Sequence, residues 1–157
     1  SLISNNFTGE LPQSLAKLTT LVDFRISDNN FSGNIPNFIQ NWTNLRRLEI
    51  QGSGLSGPIP RNIASSMANL SDLRISDLNG NESTFPLLSY TSNFKYIILR
   101  SCNIIGQLPE YLGKMSQLKI LLVKTFLILR HSLEHSYGVF VRTNTKKKLK
   151  ILLELYK

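Results

Sequence analysis

Leu21 to Pro36 reads L-V-D-F-R-I-S-D-N-N-F-S-G-N-I-P, and Leu45 to Pro60 reads L-R-R-L-E-I-Q-G-S-G-L-S-G-P-I-P. Both stretches fit the template L-x-x-L-x-L-x-x-N-x-L-S-G-x-I-P, whose full period in this chain is 24 residues. Phe94 to Pro109 fits it again, Leu70 begins a copy that keeps only the front half, and residues 1–18 fit the rear half of an earlier copy. Self-similarity at this period predicts a repeat protein.

Each part of the template predicts a local structure. The alternating L-x-L segment predicts a short strand with its apolar side chains turned inward, and strands of successive copies are expected to stack in parallel. One copy cannot bury its apolar side alone, so the copies stabilise one another through a continuous core. The sequence therefore predicts an α/β repeat solenoid, with parallel strands on a concave face and short helical or 3-10 segments on the convex face.

The residue that follows each strand is expected to bond backbone groups where the chain turns away. Asn29 holds this position in the first complete copy, Ser53 in the second and Cys102 in the copy that begins at Phe94. The template accepts cysteine here, and a buried thiol is inert unless something lowers its pKa. Cys102 is therefore interpreted as structural rather than reactive.

The insert F-S-G-N-I-P at 31–36, repeated as L-S-G-P-I-P at 55–60, resembles the plant-specific class of leucine-rich repeats. The stretch R-I-S-D-L-N-G-N-E-S-T-F-P at 74–86, followed by I-L-R-S-C-N-I-I-G-Q-L-P-E-Y-L-G at 98–113, resembles plant leucine-rich-repeat receptor-like serine/threonine kinases of the malectin-domain-containing subclass. The resemblance covers residues 1 to about 121 and implies a right-handed superhelix of the 24-residue type. It also implies a fragment of an extracellular repeat region without the family's kinase domain, membrane helix and malectin-like domain, so we expect no catalytic residue to carry over from the family.

The formal net charge of +8 suggests a nucleic-acid partner at first sight. Most of the excess lies in residues 124–157, which hold eight Lys and Arg against two Asp and Glu, whereas residues 1–123 hold ten against eight. Because the solenoid itself is nearly balanced in charge, we predict no nucleic-acid partner. We also predict no membrane span, because the longest apolar stretch, Ile120 to Leu129, is too short to cross a bilayer. The domain prediction is a solenoid over 1–123 and a divergent, basic, weakly helical tail over 124–157.

Two interpretations of the tail remain open. Lys146 to Leu153 fits a basic amphipathic helix for an acidic membrane or partner. The template stops here, because its Asn, Gly and Pro are replaced by Phe126, Arg130 and Leu133. The favoured interpretation is translated non-coding sequence, because the tail is dominated by Lys, Leu, Ile, Phe, Tyr and Asn, whose codons can be AT-rich. On either interpretation the solenoid is expected to be uncapped, with its last apolar rung exposed unless the tail covers it.

The residues between the inward leucines of each strand are expected to face outward, where partners of such solenoids dock. In four successive copies one column of these residues runs Asp23, Arg47, Asp72, Tyr96, and the next runs Arg25, Glu49, Arg74, Ile98. The alternating charges are interpreted as a solvated ladder of weak ion pairs. The copy at Phe94 differs, because it turns Tyr96, Ile98 and Arg100 outward, a combination typical of interface anchors. These three residues are the candidate partner-binding site.

Five N-x-S/T sequons are candidate N-glycosylation sites and fit an extracellular surface, although an asparagine-rich repeat produces some by chance. The asparagines are Asn6, Asn30, Asn41, Asn69 and Asn81.

Two motifs suggest enzyme chemistry but are weak. Gly52 to Gly57 matches G-x-G-x-x-G, but Pro58 and Pro60 exclude the helix that a nucleotide loop needs, and the repeat turn explains the glycines. His131 to His135 matches H-x-x-E-H, a zinc spacing that has no convincing third ligand here. We therefore predict no catalytic residue, no cofactor and no metal.

The predicted function is noncatalytic recognition of a peptide, glycan or co-receptor protein on the extracellular side of the plasma membrane, as part of a receptor-like kinase. The alternative is a free-standing secreted inhibitor of microbial wall-degrading enzymes, which would use the same type of repeat.

Overall fold

The structure, a computed structural model, describes residues 1–88, 93–128, 135–141 and 150–154. Short strands follow one another along the chain, and three 3-10 helices lie between them in this described part, at Gln13–Lys17, Asn37–Asn41 and Glu110–Lys114. The strands are β1 (Thr8–Gly9), β2 (Asp23–Arg25), β3 (Asn30–Phe31), β4 (Arg47–Gln51), β5 (Asp72–Ser76), β6 (Ser83–Thr84), β7 (Tyr96–Ile105), β8 (Ile120–Ile128), β9 (His135–Val141) and β10 (Lys150–Glu154).

The long sheet has the strand order β2, β4, β5, β7, β8, β9, β10, with β6 paired to one end of β7. Strands β2 to β8 are parallel, as the template predicts. Asp23 pairs with Arg47, Arg47 with Asp72, Asp72 with Tyr96 and Tyr96 with Ile120, so the paired residues stand 24, 25, 24 and 24 positions apart. Both predicted columns are confirmed, and each extends by one residue into β8, to Ile120 and Leu122.

The core lies behind this sheet and consists of the inward residues of the strands and of the segments that follow them. Leu48, Leu73, Ile97 and Leu121 occupy one inward column, and all four are buried. Trp42 is fully buried and contacts the ring of Phe24, with 4.6 Å between the ring centroids. Its indole N–H donates to the carbonyl oxygen of Leu15 at 2.9 Å, which satisfies the one polar atom that this aromatic buries.

The turn that follows β2 has the side-chain hydrogen bonds that the template predicts. The Asn29 amide donates to the carbonyl oxygens of Ile26 and Ser27 and to that of Leu2 in the preceding copy. Gly54 has a φ of +87°, and a side chain there would collide with the backbone oxygen of Phe31. The glycines of this segment therefore serve the turn and the close stacking of copies.

The described part of the tail differs from the predicted weak helix. Strand β8 continues through residue 124, the predicted domain boundary, and β9 and β10 follow as antiparallel strands. Runs such as Val139-Phe140-Val141 and Ile151-Leu152-Leu153 are rich in strand-forming residues, and the free edge of β8 offers backbone groups for pairing. The edge that we expected to be uncapped is therefore paired with β9. The handedness of the superhelix remains a prediction.

Candidate functional site

The outward side chains of the long sheet form what we call the open face, and its first three strands carry charges that pair with one another. Arg25 donates to Asp23 on the same strand at 2.9 Å, and the two side chains are 33% and 42% exposed, as expected for a weak surface pair. On β5, Asp72 accepts two hydrogen bonds from Arg74, at 2.8 and 3.1 Å, and lies 3.2 Å from Nε of Arg47.

Asp72 departs from the predicted solvated ladder, because only 4% of its side chain is exposed. Its carboxylate is covered by the two guanidinium groups that neutralise it. The hydrogen bond to Asp72 raises the pKa of Arg74, against the opposing effect of partial burial. This triad, Arg47, Asp72 and Arg74, is therefore a fixed part of the sheet rather than a set of mobile surface charges.

The open face becomes apolar at β7 and β8. Tyr96 pairs with Ile120, and Ile98 pairs with Leu122, so the four side chains form one cluster that we call the apolar patch. Ile120 is 39% exposed, and the other three are half-buried. The guanidinium of Arg74 lies 5.6 Å from the centre of the Tyr96 ring, so a cation stacks on the border between the charged and apolar parts.

The structure brings two of the three predicted binding residues, Tyr96 and Ile98, together in this patch. Arg100 follows on the same strand with 57% of its side chain exposed, and its nearest carboxylate is that of Asp77 at 3.5 Å. Sequence reasoning missed Ile120 and Leu122, although their alternation with the buried Leu121 and Val123 signals outward positions. It also missed the burial of Asp72, for which the sequence carries no local signal.

A polar groove of about 300 Å³ borders the edge at which the strands begin. Its lining includes two basic residues, Arg46 and Lys95, of which Lys95 immediately precedes Tyr96. Lys119 holds the equivalent place before Ile120, and both lysines are exposed. Neither lysine forms an ion pair with a carboxylate among the residues that the structure describes.

Cys102 is buried, and burial raises the pKa of its thiol to about 12. Its Sγ lies 3.3 Å from the carbonyl oxygen of Ile75 in the preceding copy and 3.2 Å from that of Arg100. Asn29 bonds the corresponding carbonyl oxygens: that of Leu2, which like Ile75 lies 27 residues earlier, and that of Ser27, which like Arg100 lies two residues earlier. The thiol therefore replaces an asparagine amide as a structural donor and is not a nucleophile at neutral pH.

All five sequon asparagines are exposed, and none belongs to a strand of the long sheet. Asn30 begins β3 in the smaller sheet and Asn41 ends a 3-10 helix, while the other three lie in connecting segments.

The H-x-x-E-H motif at 131–135 lies outside the residues whose side chains the structure describes. Within the described part, the side chains bring no three potential metal ligands together. No helix among these residues is both long enough and apolar enough to cross a membrane.

Comparison with known proteins adds two findings. The family model for leucine-rich repeats matches residues 20–42 and 93–115, so leucine-rich repeats are present. A stretch of 54 residues is 50% identical to an Arabidopsis thaliana protein described as a probable LRR receptor-like serine/threonine-protein kinase. That stretch covers 34% of this chain and 5% of the relative, so the similarity concerns a small part of the relative's length.

Proposed function

We propose that this chain is a noncatalytic recognition segment from the extracellular part of a plant receptor-like kinase of the malectin-domain-containing subclass. Residues 1–123 form the recognition unit in this proposal, and the basic tail takes no part in it. The similarity to a receptor-like kinase and the presence of leucine-rich repeats support the class of protein. The partner, whether a peptide, a glycan or a co-receptor protein, binds at Tyr96, Ile98 and Arg100.

The observation that carries the proposal is the change in the open face between β5 and β7. Up to β5, ion pairs hold Asp23, Arg25, Arg47, Asp72 and Arg74. At β7 and β8 the four outward residues of the apolar patch are incompletely covered. Apolar side chains that remain exposed on a rigid sheet lose contact with water when a partner covers them, which favours binding.

The five sequons fit this arrangement. We propose that Asn6, Asn30, Asn41, Asn69 and Asn81 carry glycans. Because none lies in a strand of the long sheet, glycans there leave the apolar patch accessible.

The test is a binding experiment with the full chain immobilised and extracellular fluid from plant tissue as the source of partners. We expect the double variant Tyr96→Ala, Arg100→Ala to retain less partner than the unmodified chain, by a factor of about ten or more, because truncating interface anchors weakens binding by that much. The matched control is Asp23→Ala, Arg25→Ala on the same face, which should bind like the unmodified chain. Equal retention by the Tyr96 and Arg100 variant would remove these residues from the recognition surface.

A further inference from the structure

We infer that one edge of the long sheet, the edge at which its parallel strands begin, binds an anionic polysaccharide. The site lies beside the open face rather than on it, and its cations are Lys95, Lys114 and Lys119. It is a second site, separate from Tyr96, Ile98 and Arg100. The inference rests on the proposed function only for the extracellular setting in which such a polysaccharide is available.

Charge is divided between the two edges of the long sheet. Because strands β2 to β8 are parallel, the segments that precede them lie at one edge and the segments at their far ends lie toward the other. The preceding segments, residues 17–22, 41–46, 66–71, 93–95 and 114–119, contain no Asp or Glu and five cations, which are Lys17, Arg46, Lys95, Lys114 and Lys119. We call this edge the basic edge.

The opposite edge has the reverse charge. Its segments, residues 26–34, 52–58, 77–84 and 100–107, contain one cation against three carboxylates, which are those of Asp28, Asp77 and Glu82. The near balance of charge in residues 1–123 therefore conceals a strong asymmetry between the two edges. A surface lined by cations alone attracts anions and raises their local concentration.

Lys95 and Lys119 are neighbours on adjacent rungs of the basic edge. They immediately precede Tyr96 and Ile120, which pair in register, and neighbouring strands stand about 4.8 Å apart. Like charges at such neighbouring positions destabilise a sheet, and neither lysine has a carboxylate partner in the part of the chain that the structure describes. An anion that contacts both ammonium groups removes this repulsion.

The groove beside these lysines selects the kind of anion. Its described lining is polar throughout and consists of Arg46, Asn69, Ser71, Asn93, Lys95 and Gln117. Amide and hydroxyl groups donate to and accept from sugar hydroxyls, and an ammonium group binds a carboxylate through charge-assisted hydrogen bonds. This lining has neither an aromatic ring for a nucleobase to stack on nor an apolar centre for a protein interface. It therefore favours a polysaccharide with anionic groups.

The glycan proposed at Asn69 occupies the other end of the groove. Asn69 belongs to the rung before Lys95, on the side away from Lys119. No sequon occurs in residues 84–123, so the surface around the three lysines stays free of the chain's own glycans. Asn93 donates to the carbonyl oxygen of Ala68 at 3.1 Å, which holds its amide in place before a ligand arrives.

The experiment is isothermal titration calorimetry of the full chain with oligomers of galacturonic acid, a sugar that carries a carboxylate on every residue. The methyl-esterified oligomers keep the sugar rings and lack the charge. We expect the acidic oligomers to bind, with an affinity that falls as salt is added, and the esterified oligomers to show no binding. Absence of binding by the acidic oligomers, or equal binding of the two forms, would overturn the inference.

A pair of variants with the same net charge locates the site. Lys95→Gln combined with Lys119→Gln changes two exposed side chains and should lower the affinity by a factor of about ten or more, because two charge-assisted contacts are lost. The matched control, Lys17→Gln with Arg61→Gln, removes the same charge from exposed residues elsewhere and should bind as the unmodified chain does. Equal losses in the two variants would show that net charge alone attracts the oligomer, which would overturn the site.

Other polyanions are the competing ligands. Poly-glutamate presents carboxylates on a peptide chain, and single-stranded DNA presents phosphates. Binding of either as tightly as the galacturonate oligomers would overturn the choice of a polysaccharide in favour of a general polyanion surface. The proposed function fails separately, because it is tested at Tyr96 and Arg100, which both of these double variants leave unchanged.

Discussion

The two parts of the open face share one register, and they differ in what their outward side chains contact. On β2, β4 and β5 the outward residues are mostly charged, and the ion pairs run both along and across the strands. On β7 and β8 the residues in the same columns are Tyr96, Ile98, Ile120 and Leu122. The difference shows that one template can hold a surface of paired charges and a surface of partly exposed apolar residues side by side.

The reason lies in the repeat itself. Inward positions are constrained by stacking, so they remain apolar in every copy, whereas outward positions are free to vary. The comparison therefore predicts that equivalent core substitutions lower the free energy of unfolding by the same amount behind either part of the open face. It also predicts that outward substitutions affect stability in the charged part and binding in the apolar part.

The largest expected effect is on the core, and it should be equal behind the two parts. Leu73 lies behind the charged part and Leu99 behind the apolar part, and both are fully buried. We expect Leu73→Ala and Leu99→Ala each to lower the free energy of unfolding by about 2–5 kcal/mol, because each leaves a cavity in a continuous core. Chemical denaturation followed by circular dichroism measures both. A cost at Leu99 of less than half that at Leu73 would mean that the two regions are not packed alike.

The next largest effect concerns stability in the charged part of the open face. Replacing Asp72 by Ala removes a buried carboxylate and leaves two cations facing each other, so we expect a loss of about 1–3 kcal/mol in stability. The exposed guanidinium edges can turn to water, which limits the loss. The matched control is Asp23→Ala, whose 42% exposed side chain accepts from Arg25 on the same strand at 2.9 Å and should contribute less than about 1 kcal/mol. Equal losses in the two variants would contradict a special role for the charged triad.

A smaller effect concerns the turn that follows the apolar part. The Cys102 thiol has its pKa raised to about 12 by burial, above its ordinary value of 9.0. A thiol whose pKa is raised by folding stabilises the protein below its unfolded pKa, and this contribution is lost as the pH rises toward 12. Stability should therefore fall by about 1 kcal/mol by pH 10 relative to the variant Cys102→Ser.

The variant Cys102→Ser is a suitable reference because Ser53 fills the equivalent position in the copy at Leu45 and is also buried. Thermal unfolding of both proteins between pH 8 and pH 10.5 gives the difference, since other titrating groups are common to the two. Parallel stability curves would show that the thiol does not ionise on unfolding in this range.

Much of the fold could be predicted from the sequence because the repeat fixes it. Stacking at a constant period determines strand order, register and the burial of residues such as Leu48 and Leu99, so the columns follow from counting. The turn chemistry of Asn29 and the burial of Cys102 follow from the same template. The strands after residue 124 could not be predicted in this way, because the template ends there and pairing to the edge of β8 is a long-range contact.

The candidate site could be predicted only in part. Tyr96 and Ile98 stand out because their residue types break a charged column. The burial of Asp72 depends on two arginines that cover it from its own strand and from the neighbouring one, which no local pattern reveals. Ile120 and Leu122 could have been found by extending the columns one rung past the last recognisable turn.

The most direct test of the central claim is photo-crosslinking along one column of the open face. Benzoylphenylalanine is placed at Arg25, Glu49, Ile98 or Leu122 of the full chain, which is then irradiated in extracellular fluid from plant tissue. The account predicts crosslinked partners from Ile98 and Leu122 and background yields from the other two positions. Crosslinking from Arg25 and Glu49 at yields equal to or above those from Ile98 and Leu122 would contradict it.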